Sequence, residues 1–435
     1  MQTSLYINEI SQEYIEKFQQ AIKQGAISIE EKRECLCGSK ELSNLEASDR
    51  FDLAFQSYLC SACGLIFRSP RICESSLAMY YEKYYHPINY GRKDLAEQQV
   101  LFKKGQGEKI YHLLSPFFSK RHKLKVLELG AGTGSVLEEL LFEAKKFDKK
   151  LEVTALEYSS ACIQECQKRN LQVFQGGLNK LEELGETYDV IILSHVFEHL
   201  LDLEQSLGII RKSLSQEGLL YLEVPGVYAI HRTHHYSYNY KLYTTHSHNY
   251  DFTRKTLQKY VEKEGFIELY GNENVEAVFI KGKVPTKVEG SQNSLEAQNI
   301  SFYLSFLENN REYFLNLYQR TKHLIRGRYE NANYDFSCRM NSFYTFIQRL
   351  QKSKKSFAIY GYGTIGKLLY KELGNLVVLI IDKENYDNKQ VYAPEYLLRN
   401  SYDSVLIAVF GREDEIVTSL LKLGIAQDKI QTVEL

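Results

Sequence analysis

The chain has 435 residues, of which 44% are apolar and 25% charged, with a net charge of −1. That length exceeds one ordinary domain and predicts two or three. Balanced charge excludes an electrostatic drive toward nucleic acid or an anionic membrane, and no apolar run approaches the length of a membrane span.

The opening MQTSLYINEISQEY carries no signal-peptide pattern, so a cytoplasmic location is expected. Residues 1–30 predict a helical extension with a polar face. Residues 31–72 contain Cys35-Leu36-Cys37-Gly38 and Cys60-Ser61-Ala62-Cys63-Gly64. Cysteines of a cytosolic chain are expected as thiols or metal ligands. The glycine after each pair supplies a left-handed turn that exposes backbone amides to sulfur. Cys35, Cys37, Cys60 and Cys63 therefore suit a structural tetrahedral zinc site in a small ribbon-like module. The first pair is C-x-C where C-x-x-C is usual, and a decayed site with free thiols is the alternative. Cys73, Cys162, Cys166 and Cys338 read as ordinary thiols.

Residues 73–282 begin with an aromatic segment that includes Tyr84, Tyr85 and Tyr90, which packs or closes over a site. Then VLELGAGTG (126–134) reads as a strand, a tight turn without Cβ atoms and a helix start. Such a turn lets a polar ligand lie against bare backbone. Glu128, just before the glycines, would repel a pyrophosphate and attract a cationic amino-acid group. Glu157 closes a second strand, at the distance where an acidic residue accepts hydrogen bonds from ribose hydroxyls. Residues 188–194 and 218–224 give two more apolar strands. Helix-length segments between them predict a parallel sheet with crossover helices.

Residues 283–352 read as a polar linker and a helical spacer, with Ile300, Tyr303, Leu304 and Leu307 at helical spacing and a second stretch from Met340 through Phe343 and Phe346 to Leu350. Residues 353–435 start a new α/β pattern in which Gly361, Gly363 and Gly366 form a G-x-G-x-x-G turn. A dinucleotide is one reading of that turn. Only about half of a full dinucleotide fold follows it, so close packing or phosphate contact is the other.

The joint pattern of 126–134, ALEYS (155–159), YDVIILSHVFEHLLD (188–202) and GLLYLEVPG (218–226) resembles the class I S-adenosylmethionine-dependent methyltransferases. The order of modules is similar to the sugar C-methyltransferase family, which methylates deoxysugars carried on a nucleoside diphosphate. The resemblance implies an α/β chain: a zinc-ribbon-like module, a Rossmann-like methyltransferase domain and a C-terminal half-Rossmann domain. It implies that Glu128, Gly130, Ala131, Gly132 and Gly134 line the methionine part of S-adenosylmethionine. Glu157 and Tyr158 would hold the ribose side, Gly177 and Leu178 would border the adenine, and Ser194 would lie beside the cofactor. A plain dinucleotide-binding domain is the alternative, opposed by Glu128.

Histidines concentrate at His195-Val196-Phe197-Glu198-His199 and between 228 and 252. The first matches the inverted zinc-peptidase H-x-x-E-H, a reading rejected because the segment follows a strand of the sheet. His195 and His199 would share one face of a short helix. By the resemblance, His199 lies near the reacting methyl, and His246-Ser247-His248 is similar to the family's His-Glu-His segment, with His248 as general base. His246 is a further candidate. Thr245 and Ser247 stand where that family has Tyr and Glu, which makes O-methylation a rival of C-methylation. For each histidine, a structural hydrogen bond is the alternative. The expected function is methyl transfer to a sugar nucleotide, a surface-glycan precursor or another small-molecule acceptor. An NAD-linked oxidoreductase and a non-catalytic cofactor-binding scaffold are the alternatives. Acceptor identity and oligomeric state are not encoded in any motif.

Overall fold

The computed structural model describes residues 7–92, 105–118, 122–232, 236–283, 295–325, 346–361, 364–382, 391–409 and 413–432. The chain divides into two compact units, Met1–Arg311 and Glu312–Leu435. Among the described residues, no helix is long and apolar enough to cross a membrane.

The first unit begins with the helix Glu9–Lys23, capped by the Asn8 side chain, which accepts from Ser11 N–H. Its apolar face, Ile15, Phe18 and Ala21, packs with Phe51, Phe55, Tyr80 and Ile88. Short strands follow: β1 (Ile29–Glu30), β2 (Leu42–Glu46), β3 (Gln56–Cys60), β4 (Ile66–Ser69) and β5 (Arg71–Ile72). The helix Glu74–Tyr80 then runs into one π-helical turn, Tyr81–Tyr85, and a short helix, His86–Tyr90.

The main sheet is built from β6 (Lys123–Leu129), β7 (Lys150–Glu157), β8 (Gln172–Gln175), β9 (Tyr188–Ser194) and β10 (Leu214–Glu223). After β11 (Tyr250–Asp251), a hairpin of β12 (Phe266–Gly271) and β13 (Glu276–Lys281) completes it. The order is β12-β13-β10-β9-β6-β7-β8. Strands β6 to β10 pair in parallel, as the sequence predicts, whereas β13 pairs antiparallel with β10 and makes the sheet mixed. Side chains alternate across a strand. Leu127, Leu129, Ile191 and Leu222 enter one buried cluster, while Val126, Val190, Ile192 and Tyr221 enter another. Both faces are therefore covered, which is why these strands read as continuous apolar runs.

The second sheet has the order β11-β4-β3-β2, so a strand from far downstream closes the cysteine module. Leu65 and Phe67 of β4 and its approach share one cluster with Leu222, Phe252 and Phe279. Residues 31–72 are thus sealed onto one face of the main sheet. In the helix Leu295–Ile325, Ile300, Tyr303 and Leu307 are buried, and the Tyr303 hydroxyl donates to Tyr228 O at 3.2 Å. Met340 and Phe343 of the predicted second stretch lie outside the described residues, while Phe346 and Leu350 are buried.

The C-terminal unit is a parallel sheet of β14 (Phe357–Tyr360), β15 (Val377–Ile381), β16 (Ser404–Ile407) and β17 (Ile430–Thr432), ordered β15-β14-β16-β17. Gly361 has φ 99°. A Cβ on Gly366 would lie 1.8 Å from Gly361 O, so the bare backbone lets the helix Thr364–Leu373 press against the turn. Gly363 lies outside the described residues.

Candidate active site

At the end of β6 the chain bends through Gly130, Gly132 and Gly134, with φ of 67°, 56° and 78°. L side chains resist that region of backbone space, so glycine is required. Gly130 and Ala131 N–H donate to Leu156 O at 2.8 and 3.1 Å, which folds the turn over the end of β7. Gly132 N–H donates to Glu157 Oε2 at 2.8 Å. The other oxygen, Oε1, accepts from Tyr158 N–H at 2.8 Å and Ser159 N–H at 2.9 Å. Three amides thus aim this carboxylate, and of its roughly four lone-pair sites one remains open for a ligand hydroxyl.

A cavity of 220 Å³ opens over the turn at the carboxyl ends of the strands. Ligands in parallel α/β sheets bind at this edge. Of the ten residues expected to meet the cofactor, Gly130, Gly132, Glu157, Tyr158, Gly177, Leu178 and Ser194 line it, and Glu128, Ala131 and Gly134 do not. Strand alternation explains the first exception. Glu128 shares the face of Val126 and is wholly buried; burial, aided by the nearby carboxylates of Glu128 and Glu157, pushes the Cys166 thiol up to about 12. Ala131 belongs to the core. A Cβ on Gly134 would meet Leu171 Cδ1 at 2.4 Å, so this glycine serves packing.

The opposite wall is aromatic. Tyr81 stacks on Tyr158 (5.9 Å, 9°) and meets His199 edge-on at 6.1 Å, as Tyr85 does at 5.9 Å. Burial raises both phenols well above their usual value, so they remain hydroxyl donors. Tyr90 lines the cavity too, whereas Tyr84 turns away to Phe18, at 5.6 Å. The π-helical turn that presents Tyr81 was not legible in the sequence.

The three histidine candidates separate. His199 sits in a single 3₁₀ turn, Phe197–His199, and lines the cavity. Its Nδ1–H donates to Ser247 O at 2.8 Å, which leaves the Nε2 lone pair available. Burial lowers its pKa below the usual imidazole value. His248 stands behind it, rings perpendicular at 4.8 Å, and does not line the cavity. His246 faces the other way. Its Nδ1 pairs with Asp49 Oδ2 and its Nε2 with Tyr80 Oη, each at 2.8 Å, and its ring lies 5.1 Å from Phe18. The expectation of a catalytic His246 is corrected: both ring nitrogens are occupied inside a core. His195 and His199 do not share a helix face either, because His195 adopts φ 58° before the turn. His234 and His235 lie outside the described residues.

Glu198, part of the rejected H-x-x-E-H pattern, is the group that sequence reasoning missed. Its Oε1 lies 3.7 Å from His195 Nδ1, 3.8 Å from His199 Nε2 and 3.9 Å from His248 Nε2.

The cysteine module grips this region from behind. Arg68, fully buried, pairs with both oxygens of Asp251 (3.1 and 2.8 Å) and donates to His248 O at 2.8 Å. Arg50 donates to Tyr243 O and Thr244 O, and Asp49 accepts from His246 N–H. Within the module, Cys35 and Cys63 Sγ are 3.5 Å apart, and Cys37 and Cys60 Sγ 3.6 Å. All four sulfurs lie within 4.8 Å of one another. Tetrahedral zinc with Zn–S of about 2.3 Å holds sulfurs about 3.8 Å apart, so the residues fit the ion despite the short C-x-C arm. Gly38 (φ 83°) and Gly64 (φ 80°) make the two left-handed turns. Tyr260 Oη reaches Cys63 Sγ at 3.3 Å and Cys35 Sγ at 3.7 Å from the methyltransferase-like side.

Residues 102–267 match the family described as "Methyltransferase domain". The chain is 30% identical over 128 residues to malonyl-[acyl-carrier protein] O-methyltransferase of Bacillus anthracis, covering 28% of this chain and 46% of that protein. It spans less than half the length of the curated relatives it matches. Similar solved structures include the CurJ carbon methyltransferase (16% identity, TM-score 0.35, 46% of this chain and 61% of that one). Another is the plantazolicin methyltransferase BpumL in complex with SAH (14%, TM-score 0.37, 48% and 95%). The described residues of that region, completed by the β12–β13 hairpin, form a methyltransferase domain, an α/β Rossmann-like fold with a mixed sheet.

Proposed function

We propose that this chain is an S-adenosylmethionine-dependent methyltransferase acting on a sugar nucleotide or related glycan precursor. The observation that carries this reading is one cavity joining the glycine turn, the amide-anchored Glu157 and a histidine with a free Nε2. The bound cofactor supplies a methyl group already activated by its sulfonium. Glu157 takes ribose hydroxyls, while Gly177 and Leu178 border the adenine. A Cβ on Gly177 would lie 2.5 Å from Tyr158 Oη, so its absence lets that ring stand beside Tyr81. Glu128 acts from beneath the turn, placing negative charge behind the backbone that meets the cationic methionine group. Tyr81, Tyr85 and Tyr90 exclude water, and His199 Nε2 takes the acceptor's proton. Cys35, Cys37, Cys60 and Cys63 would hold a structural zinc ion that fixes the module behind His248.

The nucleotide-sugar acceptor is supported by the order of cysteine module, methyltransferase domain and C-terminal half-fold. Thr245 and Ser247 hydrogen-bond each other at 3.2 Å where the resembled family has Tyr and Glu, and this favours a hydroxyl oxygen as the methylated atom. Calorimetry with S-adenosylmethionine tests the donor, and no heat from the wild type would overturn it. A mass-spectrometric screen of nucleotide sugars for the methyl mass gain tests the acceptor. His199→Ala should lower turnover by about 10²–10⁴-fold; near-normal turnover removes it as the proton acceptor.

A further inference from the structure

Glu198 is 1% exposed, and neither carboxylate oxygen has a hydrogen-bond partner among the described residues. Buried charges are ordinarily paired or bound to metals, and an unsatisfied group marks a missing ion or water. The imidazole nitrogens of His195, His199 and His248 converge on Oε1 at 3.7–3.9 Å, too far for hydrogen bonds. The ligand atoms of Glu198, His199 and His248 all lie within 4.8 Å of one another. Their supports are rigid. Asn249 N–H donates to Glu198 O at 2.8 Å, and Asn249 Nδ2 to His199 O at 2.6 Å. His199 donates its Nδ1–H to the Ser247 carbonyl, the outer bond that fixes a metal-binding imidazole with Nε2 forward.

We infer that Glu198, His199 and His248 form a binding site for a first-row divalent cation such as Zn²⁺, separate from the cysteine tetrad, and that its occupancy stops methyl transfer. Two imidazoles and one carboxylate beside an open cavity suit such an ion. Ligand bonds of about 2.0–2.2 Å require the three atoms to close by on the order of 1 Å, within reach of side-chain rotation. His195 also lines the cavity, its Nδ1 3.7 Å from Glu198 Oε1. The ion takes the Nε2 lone pair of His199, so metal and proton compete for one position. Inhibition therefore rests on His199 as proton acceptor; binding does not.

Cobalt titration of the full chain separates the two sites. The tetrad gives thiolate-to-cobalt charge transfer, while the nitrogen–oxygen site adds visible d–d absorption without it. Glu198→Gln and His248→Asn should each weaken the second signal roughly 100-fold or more while leaving the thiolate band, which also reports that the variant has folded. In the wild type, calorimetry with Zn²⁺ after the tetrad is filled should show one further equivalent, and none overturns the site. With the site filled, methyl transfer should fall at least tenfold and return with a chelator. A second equivalent that binds without slowing transfer overturns the inhibition and His199 as proton acceptor, but leaves the metal site standing. Absent binding overturns the site and leaves the His199 reading untouched.

Discussion

Two turns in this chain begin alike and end differently. After β6 and after β14, a glycine of positive φ follows the strand, and its amide donates to a carbonyl at the end of the neighbouring strand: Gly130 to Leu156 O at 2.8 Å, Gly361 to Ile381 O at 2.7 Å. Beyond that point the first turn opens. Gly132 offers its amide to Glu157 and borders the cavity. In the second, the space beside Gly366 is filled by the carbonyl of Gly361. Glycine spacing announces a close approach to backbone without saying what approaches. Among the described residues, what distinguishes the two is the room beside the glycines.

The largest effect should come from filling the closed turn. Gly366→Ala places a Cβ where only 1.8 Å is available and should destabilise the C-terminal unit by about 3 kcal/mol or more, read in denaturant melts, while S-adenosylmethionine affinity stays unchanged. A loss of cofactor affinity would break the contrast. Gly132→Val should do the reverse. Folding loses roughly 1–2 kcal/mol to left-handed backbone strain, and cofactor binding weakens more than about 100-fold. Glu157→Gln should reduce affinity about tenfold, or 1.4 kcal/mol, since an amide cannot accept three backbone N–H bonds and a hydroxyl together; an unchanged Kd would sink the role of Glu157. The smallest effect is in pH. Burial lowers the His199 pKa, so its base form persists below the usual imidazole value of about 6.5, and turnover should decline only as pH falls through that lowered pKa. An acid limb at or above the ordinary value would break that assignment.

The parallel strands and the first turn were legible because strands buried on both faces are unbroken apolar runs; Tyr188–Ser194 was read to the residue. Glu157 was legible from its distance to the glycines. That the Glu128 side chain lies beneath the turn and not on the cavity wall was not legible, because composition gives a residue's charge but not the face of the strand it occupies. His246 and His248 stand two apart in one motif, and only the resemblance, not their local sequence, set His248 ahead as the general base. Their fates depend on Asp49 and Glu198, partners that only tertiary contact reveals. The antiparallel β12–β13 edge drew no signal, since residues 266–271 (FIELYG) mix exposed and buried positions.

The pairing of β4 with β11 has a consequence for how such a chain can be rearranged. The ribbon of residues 31–72 lends its own strand, two arginines and Asp49 to the stretch that carries His248, so it is not an appendage that evolution or an engineer can exchange for another. A chain started at residue 73 would lose the backing of Asp251 and bare the apolar face around Leu222 and Phe252. Recombination between relatives should therefore tolerate poorly a crossover at the seemingly natural seam after Ile72.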